Sequence, residues 1–481
     1  MPAFFFWIYK SMNTNNLPKS FCVLPWMHSA INPNGDVKAC CMSAHEYVLG
    51  NLNQTPLLKD IFNGEKAKEL RREMVTNLDK LPDSCRMCTI HEQTRFDSES
   101  YRTRSNTKYK DFIEQLEVTE TGEAEFRQLY IDYRFSNKCN FKCITCGPSL
   151  SSSHALEYRK INWETPNIGD RAIIEVDHKS FFEQFKEFSH EIREIYFAGG
   201  EPLINDHHYE ILQLLIDTQQ PIGIYYNTNF SNLNYKDYDL LDMWSKVNGK
   251  IDIYASVDGY GKEGEAVRFG LDTATFESNV RTIFESGIPN ISLRFSITYG
   301  ITNYRKVVDT AVWLMSMIPE QYREQKVGFN PIVDSIEFSL LFLNAEQRKE
   351  AVRIVTEQIN QLKTHPHPRA LDQVTNLEQK YLYWISHLDV SAYPDQGKKA
   401  AIRTRWNLMN RANTVRKTEW KTDLPDLAND WLAIWTELDA KGIDMGENVY
   451  FQPLESDGTL SNNYGRWENR YGKIMLTERN I

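Results

Sequence analysis

The sequence has no long run of apolar residues. Within its 481 residues, no stretch approaches the roughly 20 consecutive apolar residues that are needed to span a bilayer. The aromatic run FFFWIY at residues 4–9 has no basic segment before it and no small-residue cleavage site after it, so we do not read it as a signal peptide. Both absences predict a cytoplasmic protein that has no membrane partner.

Positive charge is also in short supply. The chain has 55 Lys and Arg against 65 Asp and Glu, which gives a formal net charge of -10. A general affinity for nucleic acid or anionic lipid needs clustered positive charge, so nucleic acid is not an expected partner. The composition is otherwise that of an ordinary globular protein, and the length suits about two to four domains.

Cysteine is scarce and unevenly placed. The chain has eight cysteines, and none follows Cys146. A disulfide framework would spread its cysteines through a small secreted chain, whereas close groups in a large chain point to metal or redox chemistry. The eight positions are Cys22, Cys40, Cys41, Cys85, Cys88, Cys139, Cys143 and Cys146.

The first of these cysteines lie in a segment of their own. We predict a loose tail at residues 1–21, a cysteine-rich module at residues 22–98 and a linker with a short helix at residues 99–125. The module contains the turn NPNGD at residues 32–36, where Asn-Gly between apolar runs is typical of a β-hairpin.

Residues 126–343 alternate apolar strands with amphipathic helices. Six β-α repeats of this kind predict a parallel sheet of the α/β class, closed into a full or partial (β/α)6 barrel. In such sheets the functional residues lie at the C-terminal ends of the strands. The predicted strands are residues 129–135, 194–199, 222–228, 251–257, 291–297 and 328–343, and the predicted helices include residues 211–217, 276–286 and 304–317.

Beyond residue 343 the strand signal disappears. Val352, Val355 and Ile359 recur at helical spacing, and a second apolar set between residues 431 and 438 does the same. We therefore predict a helical C-terminal region over residues 344–481.

Three cysteines share one short loop directly after the first predicted strand. Their spacing is Cys139-x3-Cys143-x2-Cys146, and no further Cys or His stands in the loop. Structural zinc usually takes four protein ligands, so three thiolates would leave one position open. A 4Fe-4S cluster held by three cysteines has one iron without a protein ligand, which a substrate or cofactor can occupy.

This loop resembles the signature of the radical S-adenosylmethionine (SAM) enzymes. Later strand ends carry motifs that fall in the order of that family: AGGEP at residues 198–202, NTNF at residues 227–230, SVDG at residues 256–259, AVRFG at residues 266–270 and RFSITYGITN at residues 294–303. The resemblance implies a radical SAM partial barrel that binds SAM. The SAM-binding residues that it implies are Phe141, Gly199, Gly200, Glu201, Pro202, Thr228, Asn229, Ser256, Asp258, Arg268, Arg294 and Ser296.

The resemblance also implies roles for these residues. The two glycines allow close backbone approach, and Glu201 accepts from the ammonium group of SAM. Ser256 and Asp258 can bond a ribose, and Arg294 can pair with a carboxylate of SAM or of the substrate. Thr145 stands where the family commonly has an aromatic residue beside the adenine, so Phe141 is expected to supply part of that contact.

The N-terminal cysteines form a second candidate metal site. A hairpin at Gly35 would bring Cys22 and Cys40 together, and the pair Cys85-x2-Cys88 can hold one metal. From the residues alone, structural zinc and an iron-sulfur cluster both remain open, with zinc preferred.

The surrounding motifs reverse that preference. CVLPW, NGDVKACC, LGNL, IFNG and CRMC resemble the SPASM or shorter twitch module, which binds auxiliary 4Fe-4S clusters in radical SAM enzymes. Four ligands fit the shortened form, and Cys41 is expected to be a neighbour of the cluster. The module commonly follows the barrel, whereas here it precedes it.

Together the resemblances imply an enzyme that reductively cleaves SAM at a 4Fe-4S cluster to a 5'-deoxyadenosyl radical and then abstracts hydrogen from a substrate. The expected substrate is a peptide or protein side chain, and the alternative is a small metabolite, sugar or nucleoside. An electron donor such as flavodoxin or ferredoxin is an expected partner.

Two readings from other functional classes remain. A zinc-stabilised binding module would explain the N-terminal cysteines but not the three-ligand loop, and a non-catalytic electron carrier would not need the motif at Gly199–Glu201. Histidine contributes little to the expected sites, because the adjacent His207 and His208 open a predicted helix. We do not expect either of them to be a ligand.

Overall fold

Strands and helices alternate along most of the chain. The computed structural model describes residues 17–77, 80–94, 99–134, 136–163, 172–322, 327–332, 335–366, 377–378 and 395–443. The strands of these residues are β1 (His28–Ile31), β2 (Asp36–Lys38), β3 (Gly50–Asn51), β4 (Tyr130–Tyr133), β5 (Lys142–Cys143), β6 (Glu194–Phe197), β7 (Gly223–Thr228), β8 (Asn234–Tyr235), β9 (Tyr238–Asp239), β10 (Ile251–Ser256), β11 (Arg268–Phe269), β12 (Ile291–Tyr299) and β13 (Val327–Pro331).

Most of the helices follow strands of the main sheet or form the C-terminal region. Within the same residues they are α1 (Leu58–Phe62), α2 (Glu65–Thr76), α3 (Arg86–Thr94), α4 (Tyr101–Lys108), α5 (Lys110–Ile113), α6 (Ser152–Lys160), α7 (His178–Phe188), α8 (Asp206–Thr218), α9 (Leu240–Lys246), α10 (Gly261–Val267), α11 (Thr273–Ser286), α12 (Val307–Ser316), α13 (Ala345–Thr364), α14 (Asp395–Arg416), α15 (Trp420–Asp423) and α16 (Pro425–Ala440).

The six predicted strands lie side by side in one parallel sheet. Their order is β4, β6, β7, β10, β12 and β13, and each neighbouring pair is parallel. This arrangement confirms the predicted α/β partial barrel. The last strand ends at Pro331, well short of the predicted residue 343, and one further backbone bond, from the N–H of Ile332 to the Tyr299 carbonyl, closes the ladder. Two 3-10 turns, Ile336–Phe338 and Leu340–Phe342, follow instead.

The two faces of this sheet differ in polarity. One face packs against the helices: Tyr133 stacks on Phe181 of α7, and Phe295 of β12 contacts Phe276 of α11. Side chains alternate between faces along a strand, so the residues between these apolar positions point to the other side. We call these six residues the inner polar face: Asp132, Arg134, Tyr196, Asp252, Tyr254 and Arg294.

The cysteine-rich module continues the same sheet. β1 pairs in parallel with β4, so that His28 lies opposite Tyr130, and β2 and β3 add antiparallel strands beyond it. The predicted hairpin at residues 32–36 joins β1 to β2. Gly35 in this turn has a φ of +88°, and a Cβ there would lie 2.7 Å from the Asn53 side chain, which only glycine avoids.

Arg71 of α2 holds the module together from inside. Its side chain is 1% exposed, and its guanidinium donates to the carbonyls of Pro25, Phe62 and Gly122 and to the Asn63 side chain. Gly122 lies in the segment expected to be a linker, residues 99–125. That segment forms α4 and α5 and buries Tyr109 and Ile113 in the core of the module.

The C-terminal region is helical, as predicted, and packs on the barrel through buried ion pairs. Arg305 donates to both carboxylate oxygens of Asp430 in α16, and Arg416 of α14 does the same to Glu157 of α6. Residues 444–481 of the predicted region lie outside the described residues. Among the helices that are described, none is both long and apolar enough to cross a membrane.

Candidate active site

The loop with three cysteines lies between β11 and the start of α6. Its strand β5 pairs antiparallel with β11, which places Arg268 opposite Cys143. The N-terminal residues of α6 hold the loop from the other side, because the hydroxyl of Ser151 donates to the Phe141 carbonyl at 2.6 Å and that of Ser153 to the Cys139 carbonyl at 2.6 Å. These two hydrogen bonds fix the backbone of the loop that carries the three thiols.

Burial controls the protonation of these thiols. Burial raises the pKa of all three thiols, those of Cys139, Cys143 and Cys146. The pKa of Cys143 rises to about 12, although the nearby guanidinium of Arg268 acts to lower it. A metal must displace these protons on binding. Three buried thiols on one loop, beside a fixed cation, fit a cluster that bears negative charge and keeps one open position.

The Gly199–Glu201 loop after β6 lies directly against the cysteine loop. Gly199 and Gly200 have φ values of +75° and +54°, and a Cβ at Gly200 would lie 2.3 Å from the Lys138 carbonyl. The backbone N–H of Glu201 donates to that carbonyl at 2.7 Å. Pro202 follows and begins a short 3-10 helix. Both glycines are thus required by close approach and by the left-handed conformation.

Glu201 is a buried carboxylate at the edge of the sheet where the parallel strands end, beside the cysteine loop. It is 1% exposed and accepts hydrogen bonds from the N–H of Leu203 at 3.0 Å, the hydroxyl of Thr228 at 2.6 Å and the N–H of Asn229 at 2.6 Å. Burial nevertheless raises its pKa to about 7. The Asn229 side chain donates to Asn140, so the end of β7 is also tied to the cysteine loop.

The residues after β10 and β12 fall into two groups. Asp258 accepts from the Arg268 guanidinium at 2.7 Å and from the N–H of Thr298 at 2.7 Å, so its carboxylate is held beside the cysteine loop. Ser256 and Ser296 lie opposite each other in the sheet at the same edge. Arg294 lies one layer deeper, on the inner polar face.

Phe141 is the predicted SAM contact that the geometry favours least. Its side chain is 2% exposed and belongs to the main hydrophobic core. A Cβ at Gly270 would lie 2.7 Å from the ring, so glycine at this position lets β11 and the cysteine loop approach. Its contact with an adenine remains a prediction.

The N-terminal cysteines meet at the other end of the sheet. Cys22, Cys40, Cys85 and Cys88 line one cavity, together with Arg102 and Tyr101 among others. Cys22 precedes β1 and Cys40 follows the antiparallel β2, so this cavity lies where β1 and β4 begin, whereas the cysteine loop follows the end of β4. Burial raises the pKa of Cys85 to about 12. Four converging thiols fit one further cluster.

Cys41 does not line that cavity. Its thiol interacts with Cys40 on the cavity side and also with Asp132 and Arg134, so it lies between the N-terminal cysteines and the inner polar face. Arg134 pairs with Asp132 at 3.1 Å, and Tyr196 adjoins both residues. The inner polar face therefore lies between the two sets of cysteines along the direction of the strands.

Sequence reasoning missed the supports of the cysteine loop that come from distant segments. Besides Arg416, these are Arg405 of α14, which acts electrostatically on Cys146, and Ser335, whose hydroxyl donates to the Thr145 carbonyl at 3.2 Å. The serines of α6 had a local signal, since a run of serines before an apolar helix is typical of an N-cap. The contacts from α14 had none.

Both sets of cysteines lie in regions that match known protein families. Residues 133–314 match the model of the radical SAM superfamily, and residues 22–89 match SPASM, an iron-sulfur cluster-binding domain. The second match favours iron over the zinc that the cysteine spacing alone preferred. No curated protein matches the chain in sequence.

Two solved structures show a distant likeness. Streptococcus suis SuiB bound to the precursor peptide SuiA has 12% identity and a TM-score of 0.30, with 61% of this chain and 67% of that chain covered. SuiB bound to S-adenosylmethionine has 13% identity and a TM-score of 0.31, with 56% and 52% covered. At these TM-scores the likeness carries no conclusion about activity.

Proposed function

Because this chain is a radical SAM enzyme with an N-terminal SPASM domain, we propose that it abstracts a hydrogen atom from a side chain of a peptide or protein. The observation that carries the proposal is the inner polar face, which lies between the cysteine loop and the N-terminal cysteines. A substrate bound there would be within reach of the auxiliary module. It would also be next to the edge where the parallel strands end and where we propose that SAM binds, which we call the SAM-binding edge.

The inner polar face offers paired charges to a substrate. Arg294 lies 3.1 Å from Asp252 and over the ring of Tyr254, while Arg134 pairs with the fully buried Asp132. Each charge in these two pairs has an opposite charge beside it, so neither charge depends on a substrate for neutralisation. Carboxylate, amide or ammonium groups of a substrate can replace one partner in each pair.

The shape of the sheet supports a chain-like substrate. Among the described residues, β13 and β3 end the sheet and do not pair with each other, so the barrel is open at the side. An extended peptide can enter such an opening and pair with an edge strand. A small metabolite, sugar or nucleoside would need no lateral opening, and it is the alternative that the experiment below tests.

Cys139, Cys143 and Cys146 would hold a 4Fe-4S cluster, which in its reduced state would supply one electron to the sulfonium of SAM and so give methionine and a 5'-deoxyadenosyl radical. The chain's own residues orient SAM and exclude water. We propose that Glu201 accepts from the SAM ammonium group, that Ser256, Asp258 and Ser296 face the ribose, and that Arg268 holds Asp258 in place. An external donor such as flavodoxin or ferredoxin would supply the electron, which suits a cytoplasmic enzyme.

The test uses anaerobically reconstituted protein with about eight irons per chain, two 4Fe-4S clusters. We would measure 5'-deoxyadenosine after adding dithionite and SAM, with and without an extract of cells of the organism from which the protein comes. We expect the extract to stimulate formation of 5'-deoxyadenosine, and treatment of the extract with a protease to abolish the stimulation. Stimulation that survives the protease and passes a small-molecule filter would assign the enzyme to metabolites instead.

Variants of the inner polar face separate substrate binding from SAM cleavage. Tyr254→Phe and Asp252→Asn should keep the unstimulated rate and lose the stimulation by extract. Arg281→Met is the matched control, because Arg281 lies on the exposed side of α11 and should respond to extract like the wild type. Equal stimulation of all three variants would contradict the placement of the substrate on this face.

A further inference from the structure

A group of potential metal ligands lies outside the two cysteine sites. His178 is the first residue of α7, and His207 and Glu210 are one turn apart near the start of α8. Each of the three residues offers a ligand atom within 4.8 Å of the ligand atoms of the other two. Both helices pack on the outer face of the barrel, so this group is separate from the SAM-binding edge.

The two imidazole rings are stacked on each other. Their ring centroids are 3.7 Å apart, and Nε2 of His178 lies 3.0 Å from Oε2 of Glu210. Ligands that are bound to one tetrahedral ion at about 2.0–2.1 Å lie about 3.3 Å from each other. His178 and Glu210 are already within this distance, and the stacked ring of His207 would have to turn to point its ligand nitrogen at the same ion.

A second contact orients the His178 ring. Nδ1 of His178 lies 3.3 Å from the hydroxyl of Tyr133, a buried residue of β4. When Nδ1 carries the proton and donates to this hydroxyl, Nε2 presents its lone pair on the side of Glu210. Histidine ligands in metal sites are commonly fixed in this way, through a hydrogen bond at the other ring nitrogen.

The surroundings carry negative charge. Besides Glu210, the carboxylates of Glu175 and Asp206 act on His207, and that of Asp177 acts on His178. Glu175 and Asp177 lie directly before α7, and Asp206 is the first residue of α8. An ion with two positive charges would be attracted to this region, while an anion would be repelled.

We propose that His178, His207 and Glu210 bind one divalent first-row transition-metal ion that joins α7 to α8. Two imidazoles and one carboxylate suit zinc or iron rather than the hard ions magnesium and calcium. The site lies close behind the SAM-binding edge, because Asn205, which caps α8, donates to Ser136 in the segment between β4 and the cysteine loop. Bound metal would thus stiffen the helix that follows the Gly199–Glu201 loop.

The sequence alone disfavoured His207 as a ligand because its neighbour His208 and its position at a helix start looked structural. His208 is indeed buried and pairs with the Tyr226 hydroxyl at 2.8 Å. The partner of His207 comes from a different helix, and no local pattern joins the two.

Zinc is the probe for the test. Reconstituted enzyme with its full iron content would be dialysed against zinc, and bound zinc and iron would be counted by mass spectrometry. We expect one zinc per chain in the wild type and at least about 100-fold weaker binding in His178→Gln/His207→Gln. His190→Gln is the matched control, because His190 has a 73% exposed side chain and lies at the other end of α7.

X-ray absorption at the zinc edge distinguishes this site from the cysteines. Nitrogen and oxygen neighbours without sulfur would support the proposal, whereas sulfur neighbours would show zinc at displaced cluster sites and overturn it. Absence of zinc in the wild type, or zinc retained in the double variant, would also overturn it. If the double variant does not fold, Glu210→Gln decides the question, since this half-exposed carboxylate can be changed without opening the core.

Discussion

The ion pair between Arg416 and Glu157 gives the sharpest test of how the C-terminal region supports the cysteine loop. Glu157 of α6 is 1% exposed, and it accepts from Arg416 of α14 at 2.8 and 2.6 Å and is 3.2 Å from Lys142. The same helix begins with the serines that hold the carbonyls of the cysteine loop. We therefore expect Arg416→Met to loosen both α14 and the loop.

The structure sets the size of this effect. Arg416→Met leaves a buried carboxylate with Lys142 as its nearest cation, and breaking a buried pair in this way costs about 3–5 kcal/mol. Even the lower value shifts the equilibrium between docked and undocked α14 on the order of 100-fold. Because Lys142 directly precedes Cys143, we expect the core cluster to lose iron faster while the auxiliary cluster is unaffected.

The assay is the rate at which a chelator removes iron from the anaerobic enzyme. The double variant Glu157→Gln/Arg416→Met removes the buried negative charge as well, and it should recover part of the loss through a coupling of about 0.5–3 kcal/mol. Arg353→Met is the control, because Arg353 makes comparable ion pairs on the solvent side of α13. The reasoning would be refuted if Arg416→Met released iron at the wild-type rate, or if the double variant recovered none of the loss.

Three further changes test other parts of the molecule. Gly200→Ala forces a Cβ to within 2.3 Å of the Lys138 carbonyl at a φ of +54°, so SAM binding measured by calorimetry should weaken at least about tenfold with iron content unchanged. Arg71→Met leaves its three buried carbonyls unpaired, each at a cost of about 1–3 kcal/mol, and should remove the auxiliary irons before the core irons in a urea titration. Burial raises the pKa of Glu201 to about 7, so the ionised carboxylate is present above this pH and is lost as the pH falls. The affinity for SAM should therefore drop about tenfold between pH 8 and pH 6. Glu201→Gln should lack this part of the pH dependence.

The barrel was predictable because its signals are local. Apolar alternation marked all six parallel strands, and short motifs marked the loops at their ends. The prediction failed where a local pattern had two solutions: residues after Pro331 are apolar enough for a strand, but Ser335 and Ser339 begin turns there. An apolar run alone does not distinguish these outcomes.

The long-range pairings could not be read from the sequence. Nothing near His28 indicates that β1 will pair with β4, and nothing near Arg416 indicates a buried partner in α6. Such contacts depend on which surfaces remain open after the barrel has formed. The same holds for His178 and His207, which meet only because α7 and α8 are neighbours on the outer face.

The position of the cysteine-rich module before the barrel has a simple structural consequence. β4 is the first strand of the barrel, so its outer edge is free to accept a strand from either end of the chain, and β1 takes that edge in parallel. Pairing at β4 places Cys40 and Cys41 at the end of the sheet opposite the cysteine loop. A module that followed the barrel and paired with the same edge would place its cysteines there too. The pairing of β1 with β4 therefore keeps the auxiliary cluster next to the inner polar face, although the module precedes the barrel in the sequence.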